Sequence, residues 1–91
     1  MPELSLTLYL VGGTPPSERV MLALDDLRGV LGDSAAIEVI DLRDRPDLAE
    51  REGILATPLL VRTSPLPERR VIGDLSDPTR VLASLGLRGR G

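Results

Sequence analysis

Hydrophobic and polar residues alternate at the start of the chain, where leucine fills every second position from Leu4 to Leu10. A period of two predicts a β-strand with one buried face. Gly12-Gly13 ends this strand. Thr14 before two prolines then predicts a helix start, because its hydroxyl can cap free N–H groups and proline lacks an N–H. The next apolar residues recur at helical spacing, which predicts an amphipathic helix ending at Gly32. Its apolar stripe comprises Val20, Leu24, Leu27 and Leu31, widened by Ala23 and Val30.

The second half of the chain continues the alternation of strands and helices. A second strand is predicted at residues 37–42, whose mostly apolar composition is typical of a sheet interior covered on both faces. Strand, helix and strand together predict a parallel pair with a right-handed crossover. Asp44 is predicted to cap a short helix that contains Pro46 and ends at Gly53. Two more strands are predicted at 59–61 and 70–72, and a last helix over residues 78–85 ends at Gly86.

Length and composition predict one domain, spanning residues 1–91. The chain is 42% hydrophobic with a single aromatic residue, Tyr9, so the core is expected to be aliphatic. No segment approaches the ~18 consecutive apolar residues of a membrane span, and no signal peptide is evident. The sequence therefore predicts a cytoplasmic protein without a membrane partner.

The residue types exclude several chemistries. Cysteine, histidine and lysine are all absent, which removes thiol catalysis, the commonest zinc ligands and Schiff-base formation. Ser17 has no base to activate it, so an ordinary capping or exposed serine is predicted there. The acids between Asp41 and Glu52 alternate with arginines and are interpreted as a solvated face. No catalytic residue, metal or cofactor is predicted, and a net charge of −3 argues against a nucleic-acid partner.

The element order is βαβαββα, with a proline at the entrance of the third strand, and it resembles that of a thioredoxin-like domain. That resemblance implies a cis peptide bond at Thr57–Pro58. Several sequence blocks also occur in the order and spacing of the KaiB family of clock proteins. They are LYLV at 8–11, VIDL at 39–42, PDLAE at 46–50, ILATP at 54–58 and RRVIGDLS at 69–76. The resemblance covers nearly the whole chain, roughly residues 6–87.

Resemblance to KaiB implies a non-enzymatic protein that binds a KaiC-type ATPase and modulates its phosphorylation or ATPase cycle, in circadian or stress-related timing. KaiA, or a clock histidine kinase, is implied as a further partner where the host has one. The family pattern implies partner contacts at Arg69 and Arg70, which are also consistent with two exposed edge-strand arginines that discourage aggregation. It implies further contacts at Arg19, Leu48 and Ala49, although burial of Leu48 in the core is at least as good an interpretation. Thr57, Pro58, Gly73 and Asp74 are the structural positions of the pattern.

Two alternatives stay open at this point. The KaiB family is metamorphic, so the chain could instead adopt the family's ground-state α+β fold, with a re-paired C-terminal half and an oligomeric assembly. Ser84 and Gly86, where the family commonly has glycine and aspartate, favour the helical, thioredoxin-like form. For function, the alternative is the thioredoxin-like input domain of a KaiC-binding histidine kinase, or a redox-inactive thioredoxin-fold adaptor.

Overall fold

A four-stranded sheet with helices on both faces forms the domain, and the computed structural model describes residues 3–73 and 75–87 of it. Asp74 therefore lies outside the described residues. The strand order is β2-β1-β3-β4, with β1 parallel to β2 and antiparallel to β3, and β3 antiparallel to β4. The elements are β1 (Leu4–Leu10), α1 (Pro15–Leu31), β2 (Ala35–Asp41), α2 (Pro46–Arg51), β3 (Leu59–Ser64), β4 (Arg69–Ile72) and α3 (Pro78–Ser84). The predicted thioredoxin-like order βαβαββα is confirmed.

The ends of α1 follow the predicted capping chemistry. The Thr14 hydroxyl accepts a hydrogen bond from the Ser17 N–H and donates one to the Val11 carbonyl, at 2.7 Å. Ser17 Oγ also donates to that carbonyl, at 2.6 Å, and the side chain is buried rather than exposed. At the other end, Gly32 has φ +61°, a conformation that glycine adopts without steric cost. The β1–α1 loop is therefore fixed by two hydroxyls on one carbonyl.

Helix α3 is defined at both ends by side-chain and backbone bonds. Asp77 caps its start by accepting hydrogen bonds from the N–H groups of Thr79 and Arg80. At its end, Gly86 N–H bonds the Ala83 carbonyl and Leu87 N–H bonds the Leu82 carbonyl, the pair of bonds that makes a Schellman motif. Gly86 has φ +76°, so the predicted glycine stop is confirmed.

Three local predictions were wrong. Strand β2 lies at the edge of the sheet, and its residues are exposed or only partly buried, so it is not an interior strand covered on both faces. Asp44 does not cap α2; Arg45 stands at that position and makes no capping side-chain bond, and Pro46 opens the helix. Val30 is exposed, so the apolar stripe of α1 is narrower than its sequence suggested.

The hydrophobic core divides between the two faces of the sheet. On the face towards α1 and α3, twelve buried aliphatic residues form one cluster that includes Leu6, Leu8 and Leu85. On the face towards α2, the buried cluster is smaller and contains Tyr9, Leu48, Leu59 and Val61. We call these the α1/α3 face and the α2 face. In the described ranges, no helix is long and apolar enough to cross a membrane.

Candidate functional site

A groove lies beside the Thr57–Pro58 peptide bond, which is cis as predicted. It has a volume of about 540 Å³ and opens between the start of α1, the loop before β3 and the connection from β4 to α3. Pro16, Arg19 and Val20 form one wall, and Thr57, Pro58, Gly73, Leu75 and Ser76 form the other. Arg19 supplies a positive charge to an otherwise apolar and hydroxyl-bearing lining.

The residues of this groove carry no redox chemistry. The helix start that borders it reads Thr14-Pro15-Pro16-Ser17, and the whole sequence lacks cysteine. Disulfide exchange requires a thiolate to attack a sulfur atom, so these residues cannot form the mixed disulfide of that reaction. The side chains that line the groove therefore offer a surface for binding but no thiol nucleophile.

A second polar arrangement joins the end of β2 to the β1–α1 loop. Asp41 accepts hydrogen bonds from the Arg43 backbone N–H at 2.9 Å and from Arg43 Nη2 at 2.7 Å. The Arg43 side-chain bond is the largest of several causes, including a bond from the Gly12 N–H, that lower the Asp41 pKa to about 2. A Cβ at residue 12 would overlap Arg43 Nη2 and Asp41 Oδ2. A side chain at position 12 would therefore displace the Arg43 and Asp41 side chains from this arrangement.

Arg69 and Arg70, the predicted pair of partner contacts, lie on opposite faces of the sheet. Side chains alternate along β4, and Val71 packs into the α1/α3 cluster, so Arg69 shares that face. Arg70 points to the α2 face, where its Nη2 donates to the Glu52 carbonyl at 2.7 Å and its Nε donates to Glu68 Oε2 at 3.3 Å. The two guanidinium groups therefore do not form one patch on either face of the sheet.

The other predicted contact residues are also divided between the faces. Leu48 is buried against Tyr9 and Leu59 on the α2 face, so its role in the domain core is confirmed. Ala49, next to it on α2, is half-buried, and Arg19 lies in the groove beside Pro58. The structure thus brings Leu48, Ala49 and Arg70 to one side of the sheet and does not bring Arg19 or Arg69 there.

The α2 face is covered along its centre and exposed at both rims. Helix α2 is six residues long and buries one residue, Leu48, whereas the flanking Glu38 of β2 and Ile72 of β4 are exposed. Ile72 retains 58% of its accessible surface, and Leu55, in the loop after α2, retains 96%. Ile72 lies two residues after Arg70 on β4, so its exposed side chain and the hydrogen-bonded Arg70 guanidinium are on the same face of the sheet. We define the rim surface of the α2 face by Glu38 on β2 and by Arg70 and Ile72 on β4.

Burial also changes the chemistry of Tyr9 at the centre of this face. Desolvation raises the pKa of its hydroxyl, and the negative charge of Glu52 acts in the same direction. The hydroxyl therefore stays protonated and remains a hydrogen-bond donor at neutral pH.

Four charge pairs occur in the part of the chain that the structure describes, and three of them lie between residues 41 and 51. They confirm the interpretation of that stretch as a face with local pairs.

Arg62 is the polar residue that sequence reasoning missed. It is only 6% exposed, and its guanidinium donates to the Leu85 carbonyl at 2.6 Å and to the Pro67 carbonyl at 2.7 Å. Its Nε is buried without a partner. The predicted strand stopped at residue 61, and no local signal indicated that the arginine after it is buried at the end of α3.

Solved structures with the same architecture are thioredoxin-like. The N-terminal domain of Synechococcus elongatus SasA superposes with a TM-score of 0.72 over 94% of this chain and 86% of that domain, at 24% identity. Mitochondrial thioredoxin 3 from Saccharomyces cerevisiae gives a TM-score of 0.75 over 94% of this chain and 79% of the thioredoxin, at 17% identity. The protein is therefore a thioredoxin-like domain, and its sequence contains no cysteine.

Comparison of sequences gives the family. The KaiB domain matches residues 7–87, and the chain belongs to the KaiB family. It is 48% identical over 87 residues to the circadian clock oscillator protein KaiB of a Prochlorococcus marinus strain, covering 90% of this chain and 70% of that protein. It is 47% identical over 83 residues to the protein of the same name from Synechococcus elongatus, covering 90% of this chain and 81% of that protein. These relatives support a KaiB-like role in a clock system.

Proposed function

We propose that this protein is a non-enzymatic, cytoplasmic regulator that docks on a KaiC-type ATPase and modulates its phosphorylation or ATPase cycle. The observation that carries the proposal is the identity of 47–48% to circadian clock oscillator proteins over 90% of the chain. KaiA or a clock histidine kinase is a further partner where the host has one. Self-association into a homo-oligomer is a competing use of the same exposed surface.

The rim surface of the α2 face supports this function best. Arg70 is held in place by the Glu52 carbonyl and by Glu68, so a partner's acidic group would meet a positioned guanidinium. Exposed Ile72, two residues further along the same face of β4, offers apolar area beside it. Positioned charge next to apolar surface lowers the entropy lost on binding, which is the feature of an efficient docking site.

Residue types, rather than missing ligands, support a protein without catalytic activity. The sequence contains no cysteine, histidine or lysine, so it lacks the side chains that most often serve as nucleophile or general base. Two carboxylates of the acidic stretch, Asp41 and Asp47, pair with arginines on an exposed face. The proposal therefore assigns the protein's effect to binding. Turnover in a disulfide reductase or peroxidase assay of the purified protein would contradict it.

Charge reversals at Arg70 and at Arg69, made separately, test whether the protein binds KaiC and which face of the sheet makes the contact. Arg70→Glu should weaken binding to the host's KaiC homologue, measured by titration in ATP and in ADP. Loss of a desolvated charged contact costs about 2–5 kcal/mol, roughly a 30- to 4000-fold rise in Kd. Arg69→Glu, on the opposite face, should change the Kd less than Arg70→Glu does.

Arg28→Glu supplies the matched control, because Arg28 is an exposed arginine in the last turn of α1. It makes the same change in net charge away from the α2 face and should leave the Kd nearly unchanged. No binding of the unaltered protein in either nucleotide would contradict the proposed function. Binding that survives Arg70→Glu but not Arg69→Glu would instead assign docking to the α1/α3 face.

A further inference from the structure

One side chain, that of Arg62, joins the C-terminal end of α3 to the loop between β3 and β4. Its guanidinium reaches two carbonyls that belong to different segments of the chain. Nη1 donates to the Leu85 carbonyl at the end of α3, at 2.6 Å, and Nη2 donates to the Pro67 carbonyl in the loop, at 2.7 Å. Arg62 therefore bridges a helix end 23 residues away in sequence and a loop residue five positions away.

The same two carbonyls compensate the burial of the Arg62 charge. Arg62 is only 6% exposed, and its Nε is buried without a hydrogen-bond partner. Within residues 3–73 and 75–87, no ion pair joins Arg62 to a carboxylate. A buried charged group that has lost its water needs hydrogen bonds or an opposite charge in return. Arg62 has a carbonyl from α3 and a carbonyl from the loop, so the loss of either one leaves the charge poorly compensated.

Helix α3 is the element that shields Arg62 from water. It is seven residues long, and Val81, Leu82 and Leu85 are its buried contacts with the rest of the domain. A Cβ placed on Gly86 would stand 3.2 Å from Arg62 Nη1, so the end of the helix lies directly against the guanidinium. A short element held by few buried side chains opens locally at a lower free energy than the core. Opening of α3 lets water reach Arg62.

We propose that Arg62 couples the β3–β4 loop to α3, so that the position of the loop sets how often α3 opens. While the Pro67 carbonyl is in place, both terminal nitrogens of Arg62 are bonded and α3 stays packed on the sheet. When the loop moves away, the buried guanidinium keeps one carbonyl, and its hydration favours the open form of α3. Leu66 of this loop is 80% exposed. A contact made at Leu66 therefore reaches α3 through Arg62 without touching the helix.

Amide hydrogen exchange of the ¹⁵N-labelled protein, without any partner, measures the opening of α3. The reporters are the N–H groups of Leu85, Gly86 and Leu87, which donate to carbonyls within α3. The amides of β1 give the rate of global unfolding, because β1 pairs with a strand on each side. The ratio of the two rates separates local opening of α3 from unfolding of the whole domain.

Two loop substitutions are matched in chemistry and differ in position. Pro67→Gly frees the backbone at the residue whose carbonyl Arg62 bonds, and Pro65→Gly makes the same change two residues earlier. Both raise the entropy of the unfolded chain alike. Pro67→Gly should speed exchange at the α3 reporters, relative to β1, by about fivefold or more, the lower end of coupling between linked sites. Pro65→Gly should leave that ratio nearly unchanged.

The same measurements in Arg62→Met complete a double-mutant cycle. Methionine has neither the charge nor the N–H donors, so nothing in this position links the loop to the helix. Pro67→Gly should then change the ratio by less than about twofold, as for independent sites. If Arg62→Met does not fold, Arg62→Gln, which also lacks the charge, takes its place with the same expected result.

Three outcomes would overturn the proposal. An equal effect of Pro67→Gly with and without Arg62 would show that the loop and α3 communicate without this side chain. Equal effects of Pro65→Gly and Pro67→Gly would show a general loosening of the loop. Reporters that exchange at the rate of the β1 amides in every variant would show that α3 opens only when the whole domain unfolds. None of these results bears on docking through the α2 face, because no partner is present.

Discussion

The two faces of the sheet differ in how completely the chain covers them. On the α1/α3 face, helices of 17 and 7 residues cover a cluster of twelve buried residues. On the α2 face, a helix of 6 residues covers a cluster of four. Because hydrophobic stabilisation scales with the apolar area removed from water, most of the free energy of folding is expected from the first face.

The difference separates stability from interaction. Side chains at the rims of the α2 face contribute little to the free energy of folding. They can therefore change to suit a partner without destabilising the core. The α1/α3 face has no such freedom, since a change there alters close-packed contacts. Thin coverage on one side of a small domain therefore marks the side where a partner is expected to bind.

We expect the largest change in the free energy of unfolding when a buried leucine on either face is truncated to alanine, which leaves a cavity. Leu8→Ala on the α1/α3 face should lower the free energy of unfolding by about 2–5 kcal/mol, because Leu8 is fully buried at 0% exposure. Leu48→Ala on the α2 face should cost about 2 kcal/mol or less, since Leu48 belongs to the smaller cluster and its surroundings can relax. Urea denaturation, monitored by circular dichroism, measures both.

The control for this pair is Leu22→Ala, because Leu22 is an exposed leucine of α1 and should have little effect on stability. Equal losses for Leu8→Ala and Leu48→Ala would contradict the unequal division of stability between the faces. A larger loss for Leu48→Ala than for Leu8→Ala would show that the α2 face contributes more to stability than the α1/α3 face.

A smaller effect is expected from Asp41, at the rim where β2 meets the β1–α1 loop. Its pKa in the folded state is lowered to about 2, mainly by the Arg43 side-chain hydrogen bond. A lowered carboxyl pKa contributes stability above its unfolded value of ~3.9, and that contribution is lost as the pH falls towards about 2. A ¹³C NMR titration of the Asp41 carboxyl group measures the midpoint directly.

Arg43→Gln should move that midpoint upwards, towards the ordinary aspartate value, because it removes the guanidinium. Stability at pH 7 should change little, as expected of an exposed ion pair. Arg51→Gln removes an equally exposed arginine, one that pairs with Asp47 and not with Asp41, and serves as the control. An unchanged Asp41 midpoint in Arg43→Gln would show that the backbone bonds alone lower the pKa.

Much of the fold was predictable because local signals agreed with the tertiary structure. The alternating leucines of β1, the Thr14 cap and the Gly86 stop each act within a few residues, so the sequence indicates them directly. The resemblance to a thioredoxin-like domain, with a proline at the entrance of the third strand, supplied the cis bond at Thr57–Pro58, which composition alone does not indicate.

The features that could not be predicted from the sequence depend on contacts between residues far apart in the chain. Arg62 is buried because the end of α3, 23 residues later, places the Leu85 carbonyl above it. The separation of Arg69 and Arg70 follows from strand pleating, but which of them meets the α2 face depends on register with β3. Local pattern could not show that β2 lies at the sheet edge, since edge and interior strands can share the same composition.

Thiol labelling of single-cysteine variants measures directly whether the protein docks on the KaiC homologue through its α2 face. The chain contains no cysteine, so any labelled thiol is the introduced one. Ile72→Cys and Glu38→Cys place a thiol at either rim of the α2 face, and Leu22→Cys places one on the exposed side of α1. Each variant is labelled with a maleimide, with and without a saturating KaiC homologue. We expect binding to protect positions 72 and 38 in proportion to the bound fraction and to leave position 22 reactive. Protection of position 22, with positions 72 and 38 still reactive, would contradict docking through the α2 face.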